Sequence, residues 1–215
     1  MKLNLTAVLA SGAVAAAANA TIIEARLDSV SPERHMQVSV NGGDSYRTLY
    51  TGVNNFTVTG GDTNLLGPSF VGFCIDLGQT IHFNQSNLFT VTQLEDAPLP
   101  GTGMGVTKAD LLRELWGRHF SPTFTSTQAA AFQSAVWEIV FDSGLNVHTG
   151  TIRIDGHDNT ENLANDWLDS LTGSSSLYAP VYALTSGDTQ DMIVPTPGSL
   201  ALLALGGLVA GRRRR

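Results

Sequence analysis

The chain has 215 residues, of which 42% are hydrophobic and 14% charged, with a formal net charge of −7. The apolar fraction supports a packed core and excludes wholesale disorder, and the acidic balance excludes a nucleic-acid binder that works by neutralising phosphates. The single cysteine excludes an internal disulfide framework and any cysteine-rich zinc site.

In chain order, the first predicted element is a leader. Lys2 supplies a positive start, positions 3–17 are mostly apolar, and Ala18-Asn19-Ala20 has the A-x-A form of a cleavage site, so residues 1–20 are expected to be a secretory signal peptide. The only cysteine is at position 74, which excludes a lipoprotein anchor at that site. The expected body, residues 21–194, is a single domain. Strand-like segments come first, at 36–40, 46–51, 55–59, 70–77, 80–83 and 88–94. A loop over 97–105 follows, rich in Pro and Gly.

Thr107-Lys108-Ala109-Asp110 has the form of a capping box and opens a first helix, with Leu111, Leu112, Leu115 and Trp116 at helical spacing and Gly117 weakening its end. A second helix is predicted over 127–142, with Ala129, Phe132, Val136, Ile139 and Val140 on a broad apolar face and Ser143-Gly144 as its stop. A third is predicted over 161–171, capped by Asp158 or Thr160. Late strands are expected at 151–154, 181–184 and 192–194. Strands, then helices, then strands give an α+β class rather than an alternating α/β one.

The chain closes on Pro195-Thr196-Pro197-Gly198, an apolar stretch of about fourteen residues to Gly211, and Arg212, Arg213, Arg214 and Arg215. The stretch is short for a spanning helix of about twenty residues, and the arginines would be held on the cytoplasmic side. This is the form of a stop-transfer tail, in transient contact with the inner membrane. It resembles the PEP-CTERM sorting signal of Gram-negative bacteria, with Thr196 where that family usually has Glu. The resemblance implies an exosortase as processing partner, removal of residues 195–215, and a destination at the cell surface or outside the cell, in bacteria that make exopolysaccharide.

Two internal motifs bear on chemistry. Phe73-Cys74-Ile75-Asp76-Leu77 lies in a run that is apolar on both faces until Asp76, which places Cys74 in a buried or half-buried strand. Phe132-Gln133-Ser134-Ala135-Val136-Trp137 falls in the middle of the second helix. Together they resemble the thioester (TQXA-type) domains of bacterial surface proteins. There a Cys after an aromatic residue bonds to the Gln of a Gln-x-Ala-aliphatic-Trp motif. Phe132 stands where that family usually has Thr. A Thr127-Gln128 pair makes Gln128 a second choice, but Gln128 and Gln133 lie about 140° apart on a helix and cannot both face Cys74.

The resemblance implies a β-sheet or small β-barrel or sandwich with an inserted helical subdomain, and a reactive Cys74–Gln133 bond. Its supporting shell would be Phe73, Phe132 and Trp137 as a shield against water, with Asp76 as a structural partner at the strand end. The thiolate would attack the Gln carboxamide and ammonia would leave. Proximity and oxyanion stabilisation must come from the fold. An amine or hydroxyl on a partner could later displace the sulfur, in a single-use reaction rather than enzyme turnover. A buried Cys can equally be a small core hydrophobe.

Other motifs are weaker. Asp155-Gly156-His157-Asp158-Asn159-Thr160-Glu161 is acidic but lacks EF-hand spacing, and no metal or cofactor is expected. His35, His82, His119, His148 and His157 are scattered, with no H-E-x-x-H, G-x-S-x-G or P-loop. The expectation is an exported, exosortase-processed surface or matrix protein, a covalent adhesin for an amine-bearing surface ligand. The alternatives are a non-covalent structural or binding component of an exopolysaccharide matrix, and a secreted hydrolase. Loss of both ends would leave 7 basic and 19 acidic residues, a formal charge of −12.

Overall fold

A computed structural model describes residues 20–99 and 103–196. The rest of the predicted leader, Pro197, and Arg212, Arg213, Arg214 and Arg215 lie outside the described residues.

Strand β1 (Ile22–Ser39) runs antiparallel to β2 (Arg47–Gly61) along almost its whole length. β3 (Ser69–Cys74) pairs with β2, and β4 (Ser86–Gln93) pairs with the first residues of β1. Late in the chain, β6 (Val181–Thr185) joins β4 to β7 (Met192–Pro195), which pairs with β3. The circuit β1-β2-β3-β7-β6-β4 returns to β1, so six antiparallel strands close a barrel. The short β5 (Arg153–Asp155) adds to the far end of β1. Closure leaves few edges for unwanted pairing.

Three helices accompany the barrel: α1 (Gly105–His119), α2 (Ser126–Phe141) and α3 (Asp158–Asp169). The α+β expectation holds at this level. Residues 129–140 of α2 are all buried, because the helix touches β1, β2 and β3 as well as α1 and α3. A helix apolar around nearly its whole circumference has no other place to go. Phe73 of β3, Trp116 of α1 and Phe132 of α2 form the centre of an aromatic cluster, with ring centroids 4.5 Å apart for Phe73–Phe132 and 5.6 Å for Phe73–Trp116. Phe120, Phe124 and Trp167 extend it to α3. No helix among the described residues is long and apolar enough to cross a membrane.

Several predicted boundaries move. The segments 46–51 and 55–59 merge into β2. Gly52 does not break the strand: register shifts against β1 accommodate the junction, and Gly52 lets Pro32 approach, since a Cβ there would meet the Pro32 carbonyl at 2.3 Å. The first half of β1 was not anticipated. Residues 80–83 form no strand; Thr80 instead accepts a bond from the Thr189 hydroxyl at 3.3 Å, and Asn84 turns the chain with φ 62°.

The capping box expected at Thr107 is unused, because α1 begins at Gly105 behind Met104 with no side-chain cap. The working box belongs to α2: Gln128 N–H donates to Thr125 Oγ1 at 3.3 Å, and Thr125 N–H donates to Gln128 Oε1 at 2.9 Å. For α3 neither Asp158 nor Thr160 caps; His157 is the N-cap, and its N–H donates to Glu161 Oε1 at 2.8 Å.

Candidate functional site

Cys74 is the last residue of β3. On one side β7 continues beside it, with Cys74 opposite Met192 and the Ile75 N–H donating to the Asp191 carbonyl at 2.9 Å. On the other side β2 pairs only as far as Gly72. The backbone of Cys74 would be left unpaired there, and buried backbone groups require partners. Gln133 of α2 supplies them. Cys74 N–H donates to Gln133 Oε1 at 2.9 Å, and Gln133 Nε2 donates to the Cys74 carbonyl at 2.8 Å. The carboxamide, 1% exposed, stands where the next residue of β2 would have been. The two residues singled out from the sequence therefore meet, through the backbone of one and the side chain of the other.

The thiol points elsewhere. Its Sγ donates to the Asp76 carbonyl at 2.8 Å. Burial pushes the thiol pKa up to about 12, against the pull of the Asp76 contact and of the nearby Trp137 indole, while the Asp76 and Asp191 carboxylates push it further up. The buried Trp137 Nε1–H lies near enough to the sulfur to lower its pKa but completes no hydrogen bond of good geometry. Cys74 is thus a neutral thiol at physiological pH. Asp76 takes part in the turn after the strand end: Gly78 N–H donates to its Oδ1 at 2.7 Å. Asp191 is almost fully buried. Burial raises its pKa to about 6, the Ser186 N–H at 2.7 Å opposes, and the Asp76 charge adds to the rise.

A cavity of about 200 Å3 opens beside this pair, lined by Cys74, Gln133 and Trp137 together with residues of β1, β2 and the 77–83 segment. Of the expected shield, only Trp137 lines it. Phe73 and Phe132 sit in the aromatic cluster instead. Neighbouring strand residues point to opposite faces, and Phe132 is about 100° around α2 from Gln133. Gln128, the second choice, is committed to the capping box at the start of α2 and is not brought to Cys74. Pro195, assigned to the tail, is the last residue of β7 opposite Val181, and Thr196 N–H donates to the Pro180 carbonyl at 3.0 Å.

The structure also brings together one pair that the sequence did not flag. His119 Nε2 and Ser170 Oγ are 2.8 Å apart, with His119 stacked on Trp167 at 5.0 Å. The Ser170 hydroxyl donates to the Trp167 carbonyl at 2.7 Å, so the imidazole must donate to it. That polarity is the reverse of a histidine activating a serine. Of the other histidines, His35 packs on Tyr50 and His82, His148 and His157 are exposed. Among the described residues no three His, Cys, Asp or Glu side chains gather as a metal would require. The chain matches no protein-family model, no curated protein and no solved structure.

Proposed function

We propose that this is an exported, exosortase-processed protein of the cell surface or extracellular matrix, whose thioester-domain-like barrel attaches covalently through Cys74 and Gln133. The observation that carries the reading is the buried contact between the end of β3 and the Gln133 carboxamide. In the reaction, Sγ forms a bond to the carboxamide carbon, the carbon–nitrogen bond breaks, and ammonia leaves with the thiol proton. The Cys74 N–H already rests on the oxygen that would become negative, which is where an oxyanion donor is needed. Rigid elements, a strand end and a buried helix, supply the orientation. The thiol must first leave the Asp76 carbonyl. An amine or hydroxyl of the partner then takes the acyl group and returns the proton to sulfur.

Intact mass tests this. A thioester makes the folded protein lighter than its sequence by one ammonia, and Cys74→Ala and Gln133→Ala each abolish the deficit. Full mass in the wild-type protein overturns the covalent reading.

One observation favours a second reading. Both polar ends of the Gln133 carboxamide are satisfied and the thiol is held neutral, so the pair can serve purely as a latch between barrel and helix. The protein would then be a non-covalent component of the matrix, with full mass and one thiol that titrates on unfolding. Export itself is tested by expression in a host with an exosortase, where replacing Arg212, Arg213, Arg214 and Arg215 with Ser should leave the tail uncleaved.

A further inference from the structure

The cavity beside Cys74 measures about 200 Å3. An engineered apolar cavity of about 150 Å3 takes one benzene, so this space suits a six-membered ring with one small substituent. Its mouth is aromatic. Tyr50 and Phe83 are 58% and 45% exposed, stand nearly perpendicular with centroids 6.1 Å apart, and His35 supports Tyr50 at 4.6 Å. Large aromatic side chains left half in water at a cavity mouth offer apolar faces to a ring.

The polar lining joins Arg47 and Trp137, which only donate, to side-chain amides and hydroxyls that can donate and accept. In a chain with 19 acidic and 12 basic residues, the one charged side chain among the described residues lining this cavity is Arg47. Arg47 gives Nη2–H to the Leu77 carbonyl at 2.8 Å, and its fork has further N–H groups. Trp137 lines the cavity with its buried indole N–H unpartnered, a defect that an acceptor atom of a ligand would remove. Asn54 and Gln190 add side-chain amides. Asp76 and Asp191 lie near the sulfur but line no part of the cavity.

From the aromatic mouth, the unpartnered indole and the single guanidinium, we infer that this cavity binds a small ring bearing a carboxylate. The ring lies against Tyr50 and Phe83, and its oxygens are taken by the donors of Arg47 and Trp137. An ammonium-bearing ring finds no lining carboxylate there among the described residues. Sugar acids and aromatic acids share this chemistry, and the inference stands whether or not the Cys74–Gln133 bond forms.

Titrating purified protein with glucuronate, benzoate, glucose and benzylamine, and following the tryptophan indole signals by NMR, tests it. At least one carboxylate should shift the Trp137 signal saturably and leave the signals of Trp116 and Trp167 in place. Glucuronate alone identifies a sugar acid, and benzoate alone an aromatic acid. Glucose and benzylamine should bind at least about tenfold more weakly, and Arg47→Gln, at an exposed position, should weaken the carboxylate by about tenfold, the scale of one charge-assisted hydrogen bond. The inference is overturned if neither carboxylate shifts Trp137, if benzylamine or glucose binds as tightly as the better carboxylate, or if Arg47→Gln leaves the affinity unchanged.

Discussion

Gln133 does for the barrel what a strand residue would otherwise do, and its removal should cost accordingly. Gln133→Ala leaves the Cys74 N–H and carbonyl without partners in a buried place. At about 1–3 kcal/mol for each of the two orphaned groups, denaturant unfolding should show a loss of roughly 2–6 kcal/mol. Gln128→Ala, five positions away on the same helix, removes only half of a capping box, and its loss should be about 1 kcal/mol. A smaller effect at position 133 than at 128 would mean that the carboxamide does not hold the strand end. The resemblance of the Cys74 and Gln133 motifs to thioester domains implied that the two residues would meet. It carried no sign that the contact runs through the Cys74 backbone, because the gap depends on where β2 parts from β3. Arg47 and Tyr50 were equally invisible as cavity residues, since only the fold of the hairpin brings them to Cys74.

At the scale of elements, α1 illustrates how tertiary contact overrides propensity. Gly117 was expected to weaken the end of the helix, yet α1 continues to His119. The glycine is there for space: a Cβ would lie 1.8 Å from the Leu177 carbonyl oxygen in the 3-10 turn Ser175–Leu177. The next residues of that connection are pinned to the helix by the Ala179 N–H, which donates to the Arg113 carbonyl at 3.0 Å. Gly117→Ala, worth about 1 kcal/mol of added stability in an isolated helix, should here lower the thermal midpoint. A rise in the midpoint would show that the turn yields freely.

β1 shows the opposite limit of sequence reading. Ile23, Ala25 and Leu27 alternate inward as a strand should. Glu24, Arg26 and Asp28 alternate with them on the outer side of the strand. Pairing on both sides, to β2 and to β4, makes it a strand.

For the whole molecule, buried carboxyl groups set the dependence of stability on pH. Glu138 of α2 is fully buried. Burial raises its pKa to about 7, the Asn146 N–H at 2.9 Å opposes, and Asp142 adds to the rise. Asp191, at about 6, has the same sign. Both folded values exceed those of the unfolded chain, so each group subtracts stability as pH climbs from about 4 towards 7.

Glu114 has the opposite sign. Burial alone would raise its pKa, but the Thr172 N–H and hydroxyl, Arg118 and the Gly173 N–H lower it to about 2. Its contribution is complete above the unfolded value of 4.5 and fades as pH falls towards 2. Chemical denaturation at a series of pH values should therefore show a maximum near pH 4–5, on the scale of these shifts. Glu138→Gln should gain more stability at pH 8 than at pH 5. Equal effects at both would mean that Glu138 is not held protonated.

The charge of the whole chain gains meaning from its placement. The described body is strongly acidic, yet among the described residues the one charged side chain lining the cavity beside Cys74 is Arg47. The block of strands followed by helices and then by strands made the α+β class legible, but nothing in the order of segments announced a closed barrel. Closure depends on β1 being long enough to pair with two partners at once.

The most direct measurement is the intact mass of the folded protein, before and after exposure to methylamine. A Cys74–Gln133 thioester predicts a mass lower than the sequence by one ammonia, and then the addition of one methylamine with one thiol released. Full sequence mass, no adduct, and a thiol that titrates once the protein is unfolded would contradict it.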